Sequence, residues 1–191
     1  ATTETSFDYT HKKLNEIKWN PKIFELESFP DDENYILPLS NTIKPHLDEN
    51  THLLFSYHGL PLSHIRRAKK LGIPNYVDHC EMTTRSVAKE LNLDESNWSL
   101  SYQSRLGPVR WLTPSTEKVA LDLAKKGIKK LVIVSPAFLA DGLETLEELD
   151  IEIREIFLDN GGEDLFVVKC LNDNQDWIQG FSTIVSNAFK S

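Results

Sequence analysis

Glycine is scarce in this chain, with eight in 191 residues, and none of them falls in a G-x-G-x-x-G or P-loop pattern. That removes the usual nucleotide-phosphate signals. Cysteine is scarcer still: Cys80 and Cys170 stand alone, without C-x-x-C or metal-ligand spacing, and read as buried thiols of a reducing compartment, by default the cytoplasm. No apolar run approaches the roughly 20 residues that span a bilayer. The opening Ala1-Thr2-Thr3-Glu4-Thr5-Ser6 is not a signal peptide, and the lack of an initiating Met hints at a chain cut from a longer one. Positive charge is also in deficit: 21 Lys and Arg face 29 Asp and Glu, a net charge of -8 with a pI near 5.3. A duplex-binding surface needs clustered cations, so nucleic acid is excluded as a partner, and a cation or a neutral ring system suits the chain better.

What is present is an ordinary globular composition, 40% hydrophobic and 26% charged, in a length that supports one domain over residues 1–191. No internal repeat, low-complexity tract or linker interrupts it. Residues 8–18 pattern as a helix with Leu14 and Ile17 inward, broken at Asn20-Pro21. Lys22–Ser28 alternates as a short strand. Asp31 or Asp32 caps a helix carrying Tyr35, Ile36, Leu39, Ile43 and Leu47 despite Pro38 and Pro45. Thr51–Tyr57 is a strand ending at His58-Gly59-Leu60-Pro61, and Pro74-Asn75 leads a helix to Leu91. Trp98–Tyr102 is a strand, Thr113 or Ser115 caps a helix that stops at Gly127, and Leu131–Val134 is a buried β-branched run of the kind found in central parallel strands. Leu165–Val168 and Asp176–Lys190 supply a last strand and helix around the Gly161-Gly162 turn. Strands alternating with helices predict an α/β, Rossmann-like three-layer sandwich with a central parallel sheet and right-handed crossovers.

The densest chemistry follows Leu131–Val134. Asp141, three residues before Glu144, has capping-box spacing, and Glu144, Glu148 and Glu152 then recur every fourth residue on one helical stripe, with Glu155 on the same side. Leu146, Leu149, Ile153, Ile156 and Phe157 fall opposite and should pack on the sheet. Like charges four apart cost a helix roughly 0.2–0.5 kcal/mol per pair, and a passing cation would relieve that cost. A plain solvated face explains the same periodicity.

Ligands of open α/β sheets gather at the carboxyl ends of strands. Three polar groups are predicted there: His58, the Gln103–Gly107 loop and the acidic stripe. A neutral His58 facing a cleft beside Gly59 suits proton transfer or metal ligation, while a histidine bonded to a neighbouring loop is the plainer account. His11, His46, His52, His64 and His79 lack such placement and read as surface or packing residues. Tyr102, Gln103, Arg105 and Trp111 surround a Gly-Pro turn and would suit a flat aromatic ligand with carboxylates, or simply plug the edge of the core.

Four motifs now coincide. Phe55-Ser56-Tyr57-His58-Gly59-Leu60-Pro61; Tyr102-Gln103-Ser104-Arg105-Leu106-Gly107-Pro108 with Trp111-Leu112 and Pro114-Ser115-Thr116; Pro136-Ala137-Phe138 to Asp141; and Glu144-Thr145-Leu146-Glu147-Glu148-Leu149-Asp150-Ile151-Glu152 resemble ferrochelatase in order and spacing. The resemblance covers nearly the whole chain but only the C-terminal half of that family, whose members are built from two similar Rossmann-like, chelatase-like domains with the porphyrin cleft between them. It implies insertion of Fe²⁺ into protoporphyrin IX to form protohaem, a lyase reaction of haem biosynthesis. His58 matches the family's histidine, a proton acceptor, a metal ligand or both, and Glu144 matches its partner carboxylate, so His58 and Glu144 are the implied catalytic pair. Together with Glu148 and Glu152 they are the implied metal-handling set. Tyr102, Gln103, Arg105 and Trp111 are the implied porphyrin-binding residues.

The resemblance further implies Fe²⁺ as substrate and no permanently bound cofactor. No iron–sulfur cluster is expected, because the cysteine-rich C-terminal extension of some members is missing. Gly142 stands where many members have His or Cys, so no ligand is expected at that position. The partners implied are the porphyrin, divalent iron and the N-terminal half absent from this chain, without which the isolated domain is open to being inactive. A greasy substrate and product leave peripheral membrane contact open. Two other readings stay open on the residues alone: a cobalt or sirohydrochlorin chelatase, and a non-catalytic tetrapyrrole- or metal-binding module.

Overall fold

A computed structural model describes residues 2–26, 28–73, 75–105 and 107–190. Pro74 and Leu106, named above, lie outside the described residues, as does Glu27 within the expected first strand. The elements in order are α1 (Thr2–Glu16), α2 (Glu33–Ile43), a 3₁₀ turn (Lys44–His46), β1 (Thr51–His58), α3 (Leu62–Lys70), α4 (Tyr76–Glu90), β2 (Trp98–Gln103) after a short 3₁₀ turn (Glu95–Asn97), α5 (Thr116–Lys125), β3 (Lys130–Val134), a π-helix (Glu144–Ile153) that runs into α6 (Arg154–Asp159), β4 (Asp164–Val167) and α7 (Gln175–Ala188).

The strands form one four-stranded sheet in the order β2-β1-β3-β4, parallel at every pairing. β1 and β3 are therefore central and buried on both faces, which is why β3 reads as a nearly unbroken apolar run and β1 carries consecutive Leu53, Leu54 and Phe55 at its centre. Alternation along β1 sends Leu53, Phe55 and Tyr57 to one face, where they pack with residues of α2, α4 and α7. Leu54 points to the other, into a second core of Ala120, Leu123 and Ala124 from α5 with Leu149, Ile153 and Phe157 from the acidic helix. Two cores on two faces make the expected three-layer sandwich.

Caps fall where short polar side chains allow: Asp32 accepts from Asn34 N–H, Asn75 from Val77 N–H, Ser115 from Lys118 N–H and Asn174 from Trp177 N–H. α2 ends at Ile43, short of the expected Leu47, because Pro45 cannot continue an α-helix and the chain tightens to 3₁₀ there. On α7, Gly180 meets α2 so closely that a Cβ would lie 2.1 Å from the Asn34 carbonyl oxygen.

Several expectations are corrected. The described residues of Lys22–Ser28 are not a strand: no sheet edge receives them, and they are held by side chains instead, Phe24 edge-on to Phe189 at 4.7 Å and Leu26 on the first core. α1 begins six residues earlier than the apolar pattern indicated, and Ile17 is 65% exposed just past its end. α3 carried no apolar periodicity and was not anticipated: it buries none of its residues and presents Arg66, Arg67, Lys69 and Lys70. Leu146, placed on the packed face by its spacing, is 56% exposed. The acidic helix is π, not α, for its first ten residues.

Candidate functional site

Strand alternation decides which side chains meet. His58 lies opposite Gln103 in the β1–β2 register, as Ser56 lies opposite Ser101. The even-numbered residues of β1 share the face of Leu54, so His58 and Gln103 sit side by side at the carboxyl ends of their strands, on the face that α5 and the acidic helix cover. The chain after His58 must turn at once, and Gly59 permits it: its N–H donates to the Gln103 carbonyl at 2.8 Å. A Cβ there would lie 2.7 Å from that same oxygen.

The His58 ring is half-buried. Its Nδ1 is 2.6 Å from the Gly59 carbonyl oxygen, a contact that favours the proton on Nδ1 and a lone pair on Nε2. Phe138, from the loop after β3, lies 6.1 Å away ring to ring, and the Tyr76 hydroxyl donates to the His58 carbonyl at 2.9 Å.

Gln103 is 2% exposed, and its amide is the link to the acids: Nε2 donates to the Glu144 carbonyl at 2.8 Å. The next residue, Ser104, sits at φ 62°. In that conformation its N–H and hydroxyl both reach the Glu148 carboxylate, one to each oxygen, at 2.7 Å. Glu148 is thus held by two charge-assisted bonds, while Glu144 is half-buried and Glu152 exposed. Glu144, Glu147, Glu148 and Glu152 line one open cleft of about 420 Å³ with Ser104, Arg105 and Leu143. Four carboxylates against one guanidinium make it strongly anionic, suited to attracting a cation. Among the described residues no three His, Cys, Asp or Glu side chains converge into a preformed metal site, so the stripe is a path of single carboxylates in this conformation.

π-Helical turns, with i→i+5 bonding, are rare and frequent at functional sites. Here outside donors meet the carbonyls of that stretch: Gln103 at Glu144, and Arg154 Nε at the Asp150 carbonyl at 3.0 Å. The expected Asp141–Glu144 capping box does not form. Asp141 instead accepts from Cys170 N–H at 3.1 Å, Asn172 Nδ2 at 2.7 Å and the Thr145 hydroxyl at 3.1 Å, while Gly142 N–H donates to the Thr145 hydroxyl at 3.0 Å. Burial pushes the Asp141 carboxyl up, and the bonds from Asn172, Cys170 and Thr145 outweigh it and hold it below the usual carboxylate range. Burial pushes the Cys170 thiol up to about 12, helped by that same carboxylate.

The four aromatic-loop residues separate. Arg105 is exposed and opens onto the acidic cleft, its Nη2 3.4 Å from the Leu112 carbonyl. Trp111 is half-buried against Gly59, with its indole N–H buried and unpartnered. Tyr102, 3% exposed, points to the opposite face of the sheet, lining a cavity with Val77, Glu81, Thr84 and Arg85. Gln103 lies beneath the cleft surface. Sequence reasoning gave no individual role to Ser104, Glu147, Ser56 or Thr116; their only signal was that each lies within one of the four motifs.

Comparison with known proteins now bears on this geometry. The Ferrochelatase family model matches residues 1–189. The chain is 38% identical over 189 residues to the ferrochelatase of Agrobacterium fabrum and 36% to that of Rhizobium johnstonii, in each case covering 97% of this chain and 54% of that protein. It is 35% identical to the ferrochelatase of Bdellovibrio bacteriovorus over 202 residues, covering 98% of this chain and 60% of that protein. The chain thus spans little more than half the length of these relatives.

Proposed function

The chain belongs to the ferrochelatase family, and from that premise we propose that it supplies the catalytic C-terminal part of an enzyme that inserts Fe²⁺ into protoporphyrin IX to form protohaem. The observation that carries this reading is the placement of His58 and Glu144 on either side of one residue: Gln103 lies opposite His58 in register and donates its amide proton to the Glu144 backbone.

Metallation removes two N–H protons from a macrocycle whose nitrogens point inward, and so needs a base at the ring centre. With Nδ1 engaged by Gly59 O, His58 Nε2 is the atom free to take a proton or to touch the metal. Glu144, which lines the cleft, is its partner carboxylate. The cleft lined by Glu144, Glu148 and Glu152 offers hard oxygens singly, which suits loose binding and onward release of a divalent ion or of protons. Arg105 is placed to pair with a porphyrin carboxylate and Trp111 to border the ring, with Tyr102 and Gln103 supporting from below. Fe²⁺ is substrate in this reading, and no permanently bound cofactor or iron–sulfur cluster enters it.

The chain would act with the N-terminal half that its relatives carry. Free buried Cys80 and Cys170 support a reducing, cytoplasmic setting. The apolar substrate and product support peripheral contact with a bilayer; no described helix is long and apolar enough to cross one.

The test is the visible absorbance of protoporphyrin with the purified chain and Fe²⁺ or Zn²⁺, anaerobic and reducing, with and without the N-terminal half of a relative. Metalloporphyrin formation that disappears in His58→Ala supports the proposal. Silence in both arms, or insertion confined to Co²⁺ and sirohydrochlorin, would sink it.

A further inference from the structure

We propose that Gln103 is a positioning residue, a buried strut that sets the first turn of the acidic helix against the end of the His58 strand without itself touching porphyrin or metal. The inference rests on the function proposed above for His58 and Glu144, and it reassigns Gln103 from ligand contact to support.

Both polar atoms of the side chain are engaged within the protein, and it is too buried to reach a ligand. It is 2% exposed; Nε2 donates to the Glu144 carbonyl at 2.8 Å and Oε1 accepts from the Ser56 hydroxyl at 2.5 Å. Its main-chain oxygen accepts from Gly59 N–H, so one residue is bonded to the chain on both sides of the site.

The orientation of the amide follows from its neighbours. The Glu144 carbonyl can only accept, so the –NH₂ end must face it, and the oxygen then faces Ser56. Ser56 spends its single proton on Gln103, so its 2.7 Å contact with the Thr116 hydroxyl is one in which Thr116 donates. Thr116 in turn is 2.9 Å from the Ser101 hydroxyl. Ser56, Ser101, Gln103 and Thr116 are all buried, and such a network is worth keeping only when every member is satisfied. It runs from the start of α5, through β1 and β2, to the first π-helical carbonyl. An apolar packing residue would have filled the same space at lower risk, so the placement of polar groups here points to geometry being held.

Gln103→Met keeps the volume and removes both side-chain bonds; Thr116→Val removes only the far end of the network. Amide hydrogen exchange across Glu144–Ile153, read on the chain alone, should quicken about tenfold or more in Gln103→Met and less in Thr116→Val. With the N-terminal half supplied, kcat should fall in the same order while KM for porphyrin stays within about twofold. A raised KM with unchanged kcat and exchange would make Gln103 a substrate contact and overturn the proposal, as would no change in any of the three. Should Gln103→Met fail to fold, Ser56→Ala, which unpins the same amide, carries the test with a smaller acceleration of exchange. If the wild type shows no turnover, the function proposed above falls, and the exchange data still decide the strut.

Discussion

Two histidines stand on one strand, six residues apart and on the same face of the sheet, and the fold treats them oppositely. His52, at the amino end of β1, is 5% exposed, with Nε2 2.9 Å from the Ser99 hydroxyl. Burial, with Lys126 nearby, pushes its pKa down to about 4. His58, at the carboxyl end, is half-buried beside Phe138 with an acidic cleft one residue away across Gln103. The same side chain on the same strand is a packing residue at one end and a candidate base at the other. The open α/β architecture makes the difference, since strands of a parallel sheet deliver their loops and ligands at one edge only.

The comparison is broken most sharply by His58→Ala, which should lower turnover by about 10²- to 10⁴-fold, whereas His52→Ala should leave turnover per folded molecule within about twofold. Steady-state metalloporphyrin formation by both variants reads this directly, and equal losses would refute the assignment. Glu144→Gln comes next, with a kcat loss on the order of 10²-fold. Glu148→Gln and Glu152→Gln should weaken divalent-ion binding measured by calorimetry more than they slow chemistry; wild-type affinity in the double variant would mean that the stripe is only a solvated face.

A fourth effect belongs to His52 alone. Its folded pKa lies below its ordinary value near 6.5, so the native state holds the neutral ring. The stability this contributes is complete above about pH 6.5 and is lost as pH falls toward 4. At about 1.4 kcal/mol per unit the loss is on the order of 3–4 kcal/mol. Urea unfolding at pH 7 and pH 4.5 should show it in the wild type and a flatter profile in His52→Leu; parallel slopes would count against the buried neutral ring. The smallest effect is Asp141→Ala, which frees Asn172 and Cys170 N–H. It should cost on the order of 1–2 kcal/mol, seen as a lowered Tm with the His58 environment unchanged.

Most of the sandwich was legible because its signals are local. β3 announces itself as an apolar run, β1 by its Leu53-Leu54-Phe55 centre and β2 by alternation of Trp98, Leu100 and Tyr102 with polar residues, and Asp32, Asn75 and Ser115 cap where a short polar side chain precedes a helical pattern. Errors arose where partners from elsewhere decide. Lys22–Ser28 alternates like a strand, yet its described residues join no sheet edge. The π register of Glu144–Ile153 has no mark in its own sequence, because the donors that meet its carbonyls include Gln103, far away in the chain. Asp141 has the spacing of a cap, but Cys170 and Asn172 compete for it. In the site, His58 could be picked out from Gly59 and the strand before it. That His58, the Gln103–Gly107 loop and the acidic stripe gather at one sheet edge was legible too, because the carboxyl ends of parallel strands share an edge; that Gln103 is the residue linking the His58 strand to the Glu144 backbone was not, since strand order and register set it.

The strand order also has a consequence for how the chain comes into being. β1 lies between β2 and β3, and Thr51 at its start pairs with Lys130, so this fully buried central strand is made long before its second neighbour. During synthesis at about 5–20 residues per second, β1 must wait several seconds, with one flank uncovered, until the chain past Val134 leaves the ribosome. Non-local parallel pairing of this kind is slow and exposed to aggregation. Faster elongation, which shortens the wait, or a chaperone that covers extended apolar segments meanwhile, should raise the soluble yield more than any change at the site itself.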